Sequence, residues 1–464
     1  MRKSFFYITS LFCILLVVSS CNKDEMFGGN PVGDILQNNS DVVTTKSGAV
    51  DSTANYWVAN GITSDYLRGI LGGENKFEAC QLPDNILSSM STAELADACI
   101  TFPMRYDYLL SNDEEYAIEY MVKNFNGYQE LLKRKDGPTE LIKAYANFNS
   151  ISTTDQLTEA YIELVCCNED IYSKFTNENR LYLTKTLNAK VSTKLQKDIS
   201  LIQQSRVDKL YNKLTEASSS NFRNTMTVSD AESPGSGLIV QLTPFGKVVQ
   251  GLSRNEWPTD SIRIVNNEIL RNYNVELIRD ASKLYNCHGY AWPTRSGNDF
   301  WMEGTEISKF ITNDLFHLSN SSNCQIIHYY NGDHSARKYY EHIHDTYVSK
   351  WGKGPLVRHH YSEVPSLYQA SYRRFYSYPY ITGQSSSIEL NTVYTYTLYP
   401  YMSYASYEWS LPDQRETNYE IVGISGNTLQ IKFKRNAIFL IDCDIRNASN
   451  GEHVYTAHME VLAE

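Results

Sequence analysis

The hydrophobic period of this 464-residue chain changes along its length, and that change constrains the fold more than any other feature. From about Tyr56 to Ala217 the apolar residues recur at helical spacing, whereas from about Pro379 onward they alternate. A helical stripe and a pleated face bury against different partners, so the two stretches belong to different layers. In "SMSTAELADACITF", Ser91 and Glu94 have the spacing of a capping box. Leu95, Ala98, Cys99 and Phe102 then share one face. "STTDQLTEAYIELVCC" repeats the pattern, with Thr153 and Gln156 as the box and Leu157, Tyr161, Leu164 and Val165 on one face. Residues 56–217 therefore read as a helical domain with a structural, docking or substrate-presenting role. Residues 218–237 are rich in Ser, Gly and Pro and read as a linker. Residues 238–378 mix the two periods. "GLIVQLTPFGKVVQGL", "CQIIHYY" and "DTYVSKW" read as strands, and "NCHGYAW" opens a helix.

In "NTVYTYTLY", Val393, Thr395, Thr397 and Tyr399 fall on one face and Tyr394, Tyr396 and Leu398 on the other. "NTLQIKFK" and "NAIFLIDCDI" alternate similarly, and Trp409 sits mid-strand. Residues 379–464 resemble the Ig-like or PKD-type modules of secreted bacterial proteins, which implies an all-β sandwich and nothing about function. The tyrosines from Tyr368 to Tyr407 suit strands first and a carbohydrate-stacking face second.

At the other end, Arg2 and Lys3 precede an apolar run from Phe5 to Val18, too short for a comfortable spanning helix. It ends in "VVSSC", which resembles the lipobox of bacterial lipoproteins. That resemblance implies removal of residues 1–20 and lipidation of Cys21, which then anchors the chain in a membrane. "NKDE" is similar to the export tag of Gram-negative surface lipoproteins, implying display on the outer membrane. Residues 21–55 read as a flexible tether.

The chain is acidic. Loss of Arg2 and Lys3 with the leader takes the formal charge from −11 to −13. Without a Lys/Arg-rich run or a basic-aromatic stripe, nucleic acid is excluded as a partner. Setting aside Cys13 and Cys21 leaves an odd number of cysteines and no CxxC pair, which argues against zinc ribbons and thioredoxin-type sites.

The chemistry concentrates in "NCHGYAW". A cysteine at a helix start is favoured as thiolate by the unpaired N–H groups and the helix dipole. The same N–H groups suit an oxyanion. Asn286 is the natural N-cap, with a contact to the oxyanion as the alternative. A thiol nucleophile at Cys287 also needs a base, and His334 follows in "GDHSA". His288 faces away from Cys287 on a helix and reads as structural or substrate-side. Asp333 reads as a turn former in "NGD", with orientation of His334 as a second role.

The blocks "NCHGYAW", "GDHSA" and "SKWG" together resemble the papain-like superfamily of cysteine peptidases and amidases, including CHAP and NlpC-like cell-wall enzymes, over Leu238–Pro365. The resemblance implies a central α/β (α+β) domain with Cys287 as nucleophile, His334 as base, and Ser349 or His359 orienting the imidazole. Two positions depart from the pattern. Asp280 and Ala281 stand where that family places a glutamine, and Ser349 replaces its asparagine. Zinc is the alternative use of this region, with His342, His344 and Asp345 in "EHIHD" and His359 and His360 in "RHH". No further ligand completes such a site at recognisable spacing, so no metal or other cofactor is expected.

The expectation is a multidomain, lipid-anchored surface protein whose central domain is a thiol hydrolase for a peptide or cell-wall amide bond. The competing expectation is a non-enzymatic binding or adhesion lipoprotein, possessing a degenerate papain-like scaffold in which Cys287 only packs.

Overall fold

The helical region includes α1 (Thr92–Ile100), α2 (Glu114–Asn124), α3 (Thr153–Cys167) and α4 (Asn177–Lys194). These belong to a computed structural model that describes residues 55–149, 152–194, 210, 212–214, 237–297, 300–339, 345–412 and 414–464. The lipobox with Cys21, nearly all of the tether, the linker up to residue 236, and His342 and His344 lie outside the described residues.

Local hydrogen bonds set the helix starts. At α1 the expected box forms: Ser91 Oγ accepts from the Glu94 N–H, and Glu94 Oε2 accepts the Ser91 N–H at 2.8 Å. At α3 the box lies one residue earlier than the Thr153–Gln156 pair. Ser152 is the N-cap and Asp155 accepts its N–H at 2.8 Å. An ionised carboxylate is the stronger acceptor and also complements the positive end of the helix.

Strands follow in four sheets. β1 (Gly237–Leu242), β2 (Val248–Ser253) and β4 (Trp301–Met302) make one. The central sheet runs β3-β9-β8-β7-β6-β10-β5, from β3 (Glu276–Arg279), β5 (His317–Ser319), β6 (Ile326–Tyr329), β7 (His334–Lys338), β8 (Thr346–Lys350), β9 (Leu356–His360) and β10 (Arg373–Ser377). Neighbouring strands in this sheet pair antiparallel. In sequence, helix α5 (Thr259–Leu270) precedes β3 and helix α6 (Cys287–Ala291) follows it, and α6 lies against β7 and β8.

Every residue of β8 is buried, because this strand is covered on both faces. On one side, Phe102, Tyr108, Leu110 and Tyr161 of the helical region share a core with Ile269, Tyr347, Trp351 and Val357. The segments 56–217 and 238–378 thus bury against each other. Polar contacts reinforce this junction. The Lys353 N–H donates to Leu109 O at 2.9 Å, and Lys353 pairs with Glu114 at 2.9 Å in a buried setting. Tyr273 Oη donates to the buried Asp107 carboxylate at 2.6 Å. Gly352 lies in the left-handed region, with φ +50°, and a Cβ there would come within 2.5 Å of Leu110 backbone.

The C-terminal strands form two further sheets. One is β11-β12-β15-β14, from β11 (Tyr380–Thr382), β12 (Val393–Tyr399), β14 (Tyr419–Ser425) and β15 (Thr428–Phe433). The other is β13-β16-β17, from β13 (Ala405–Ser410), β16 (Ala437–Asn447) and β17 (His453–Ala463). They enclose a separate core that includes Tyr396, Leu398, Trp409, Leu429, Phe439 and Cys443. β12 alternates as its sequence predicts, with Tyr396 and Leu398 buried and Val393 and Tyr399 exposed. Among the described residues no disulfide joins one cysteine to another.

Gly352→Ala should lower stability by roughly 2–4 kcal/mol, from left-handed strain and overpacking together. Urea midpoints measure it, with tryptophan fluorescence and helical circular dichroism shifting in step because the core is shared. A loss below about 0.5 kcal/mol would show that Leu110 does not press on this turn.

Candidate functional site

The site begins with Asn286. Its backbone is extended while the next residue opens α6, and its side chain caps that helix by accepting the Gly289 N–H at 3.0 Å. The same Oδ1 accepts the Met302 N–H at 3.2 Å, and Nδ2 donates to Met302 O at 2.7 Å. One buried amide therefore starts the helix and ties it to β4. These bonds occupy the side chain expected as an oxyanion contact.

Cys287 follows as the first residue of α6 and is fully buried. Asn112, from the loop before α2, lies over the sulfur, with Nδ2 at 3.3 Å and Oδ1 at 3.6 Å from Sγ. Asn112 Nδ2 also donates to Asp333 O at 2.8 Å. That carbonyl lies 3.9 Å from the sulfur.

His288, expected to face away, is the imidazole that the structure ties to this site. Its Nε2 meets Asp333 Oδ1 at 3.1 Å, and its Nδ1 lies 3.0 Å from Ser335 Oγ. Trp292 Nε1 donates to the same hydroxyl at 3.0 Å. Asp333 holds a left-handed φ of +47°, which Asp tolerates in a tight turn. Its carboxylate packs against Gly304, where a Cβ would come within 1.9 Å of Oδ1.

The charges are coupled. Burial alone pushes the His288 imidazole down, but the Cys287 sulfur and then the Asp333 carboxylate hold it well above its ordinary range. Burial would raise the Asp333 carboxyl; the charge of His288, and hydrogen bonds from His288 and Asn112, instead keep it at about 2. The two groups contribute to stability on opposite sides of the pH scale. The His288 share is complete below about pH 6.5 and is lost as pH rises through its higher folded value. The Asp333 share is present above about pH 3.9 and is lost as pH falls toward the lowered value.

His334 occupies the opposite face of β7 from Ser335, as strand alternation requires, whereas α6 packs on the Ser335 side. Its ring stacks on Tyr368 at 3.8 Å and 8°, and neither ring nitrogen has a hydrogen-bond partner among the described residues. No hydrogen bond therefore joins His334 to Cys287. Burial, with nearby His359, His288 and His328, pushes its imidazole well below the usual range. Ser349 and His359 meet each other: the serine hydroxyl donates to His359 Nε2 at 2.7 Å, and His359 Nδ1 donates to His360 O at 2.8 Å. Burial takes His359 down to about 4, consistent with a neutral ring that accepts from the serine. Among the described residues no group of three or more His, Cys, Asp or Glu side chains could hold a metal ion.

Asn112 and Ser335 escape a reading by motif. Asn112 sits 175 residues before Cys287, and no local pattern marks it. The "NGD" turn did mark Asp333, though not as the partner of His288. No protein-family model matches the chain, and no curated protein matches it.

Asp333→Asn should remove part of the acid sensitivity. Between about pH 4 and pH 2 the variant should lose about 1 kcal/mol less stability than wild type, a figure kept small because the Asp333 side chain is 53% exposed. Chemical denaturation at each pH measures this, and parallel losses in the two proteins would contradict the ion pair.

Proposed function

We propose that the chain is a lipid-anchored surface thiol hydrolase that cleaves a peptide or cell-wall amide bond. The observation that carries this reading is the setting of Cys287, whose sulfur lies 3.3 Å from the Asn112 amide nitrogen and 3.9 Å from Asp333 O, with the next residue, His288, bonded to the Asp333 carboxylate. The papain-like reading of residues 238–378 draws support from the cysteine-bearing helix packed on antiparallel strands β7 and β8. An Ig-like reading of residues 379–464 draws support from two facing sheets around one core. The anchor rests on the sequence around Cys21. Among the described residues, no helix is long and apolar enough to cross a membrane.

The Cys287 thiolate attacks the amide carbonyl carbon. A C–S bond forms, and the carbonyl π pair moves to oxygen as an oxyanion. When the oxyanion collapses, the C–N bond breaks and the leaving amine takes a proton from the His288 imidazolium. Water then attacks the thioester, its proton passes to His288, and the thiolate leaves. Asp333 orients the imidazole throughout and favours its charged form whenever it holds the proton, as the acid member of a triad does. His288, rather than His334, is the base in this scheme because it adjoins Cys287 in the chain and its ring is bonded to a carboxylate, which the His334 ring is not. Full burial of the sulfur favours the second reading, a non-enzymatic binding protein with an inert thiol.

Iodoacetamide labelling of Cys287 at pH 7, followed by peptide mass spectrometry, separates the two. The hydrolase reading expects labelling in wild type, a fall of about tenfold or more in His288→Ala, and a change within about twofold in His334→Ala. Slow labelling that ignores His288 would favour the binding protein. Dependence on His334 alone would move the base to β7.

A further inference from the structure

We propose that Asn112, carried by the helical region, is a catalytic residue of the Cys287 site, its side-chain amide donating to the oxyanion formed when the thiolate adds to a carbonyl. This rests on the thiol hydrolase reading and assigns it a group that the central segment does not supply. Asp280 accepts from Asn266 at 2.7 Å, Ala281 has no polar side chain, and the Asn286 amide is bound to Met302 and Gly289. Asn112 brings a side-chain amide directly against the reacting atom, 3.3 Å from Sγ.

The orientation of that amide is fixed by chemistry. Asp333 O can only accept, so the Asn112 atom 2.8 Å from it must be the nitrogen. One N–H is thereby held by the turn, where Asp333 Oδ2 also lies 3.4 Å from the nitrogen, and the second donates to Sγ at 3.3 Å and passes to the oxyanion once the thiolate has added to the carbonyl. Asn112 is half-buried and the Asp333 side chain is 53% exposed, so this is also the side from which a carbonyl would arrive.

The chain around Asn112 is held in place. Leu109 O accepts from the Lys353 N–H, Tyr368 Oη donates to Leu110 O, and Glu114 pairs with Lys353. Two residues after Glu114, Tyr116 Oη donates to Asn331 O at 3.1 Å, beside the Asp333 turn. A donor fixed in this way costs no reorganisation when charge develops. The helical region is then part of the active site rather than a docking module beside it.

The test compares two reactions of the full chain at one pH on the alkaline plateau of labelling. Alkylation by iodoacetamide displaces iodide and creates no oxyanion, whereas acylation by p-nitrophenyl acetate passes through one. Asn112→Ala should keep alkylation within about threefold of wild type while single-turnover acylation of Cys287 falls about 100-fold, the scale for loss of one oxyanion donor. Asn112→Asp, which keeps the shape and removes the donor, should lose acylation at least as severely, with both variants melting as wild type does. Acylation of Asn112→Ala within about threefold of wild type would overturn the proposal. So would a parallel fall of both reactions, which marks a structural role. A wild-type chain neither alkylated nor acylated at Cys287 would overturn the hydrolase reading itself.

Discussion

The site depends on the turn that ends at Asp333. Its carbonyl accepts from Asn112 and faces the Cys287 sulfur, while its carboxylate holds His288. This one residue gathers a loop of the helical region, the start of α6 and the β6–β7 connection. Its left-handed backbone makes the convergence possible, because it aims carbonyl and carboxylate at the same small volume. The absence of a Cβ at Gly304 leaves room for that carboxylate. With the turn in another conformation, His288 would lose its carboxylate, leaving only the Cys287 sulfur to oppose the effect of burial.

The second constraint is the shared core. A helical region that buried its apolar face alone would meet the central sheet only through surface contacts. Here Leu110 is pressed against Gly352, and Tyr108, Tyr347 and Trp351 belong to one cluster. This packing fixes Asn112 relative to Cys287 across 175 residues of sequence. The same closeness leaves Cys287 fully buried. The C-terminal strands have their own core and supply none of the site residues.

What the sequence made legible was local. The Ser91–Glu94 box, the face alternation of β12, and Asn286 capping a helix that starts at Cys287 each need only a few neighbouring residues. The box at α3 was misplaced by one residue because "STTDQ" offers two overlapping pairs, and only geometry distinguishes them. Periodicity predicts a His288 that faces away because it describes a helix by itself. It says nothing of an aspartate 45 residues later that turns back to meet the ring. His334 was singled out by its place in "GDHSA", yet strand alternation sends it to the face opposite α6. Asn112 and the shared core were invisible for the same reason, since both arise from contacts between segments far apart in the chain.

The central claim is that Cys287 and Asp333 together hold the His288 imidazole in its charged form, and the titration of His288 tests it most directly. With histidines labelled for NMR, the account predicts a His288 imidazole that stays protonated well above its ordinary value of 6.5 in wild type. It also predicts a lower titration in Cys287→Ser, because the sulfur is the first of the two neighbours that raise it. A His288 that titrates at or below 6.5, and does so alike in both proteins, would contradict the account.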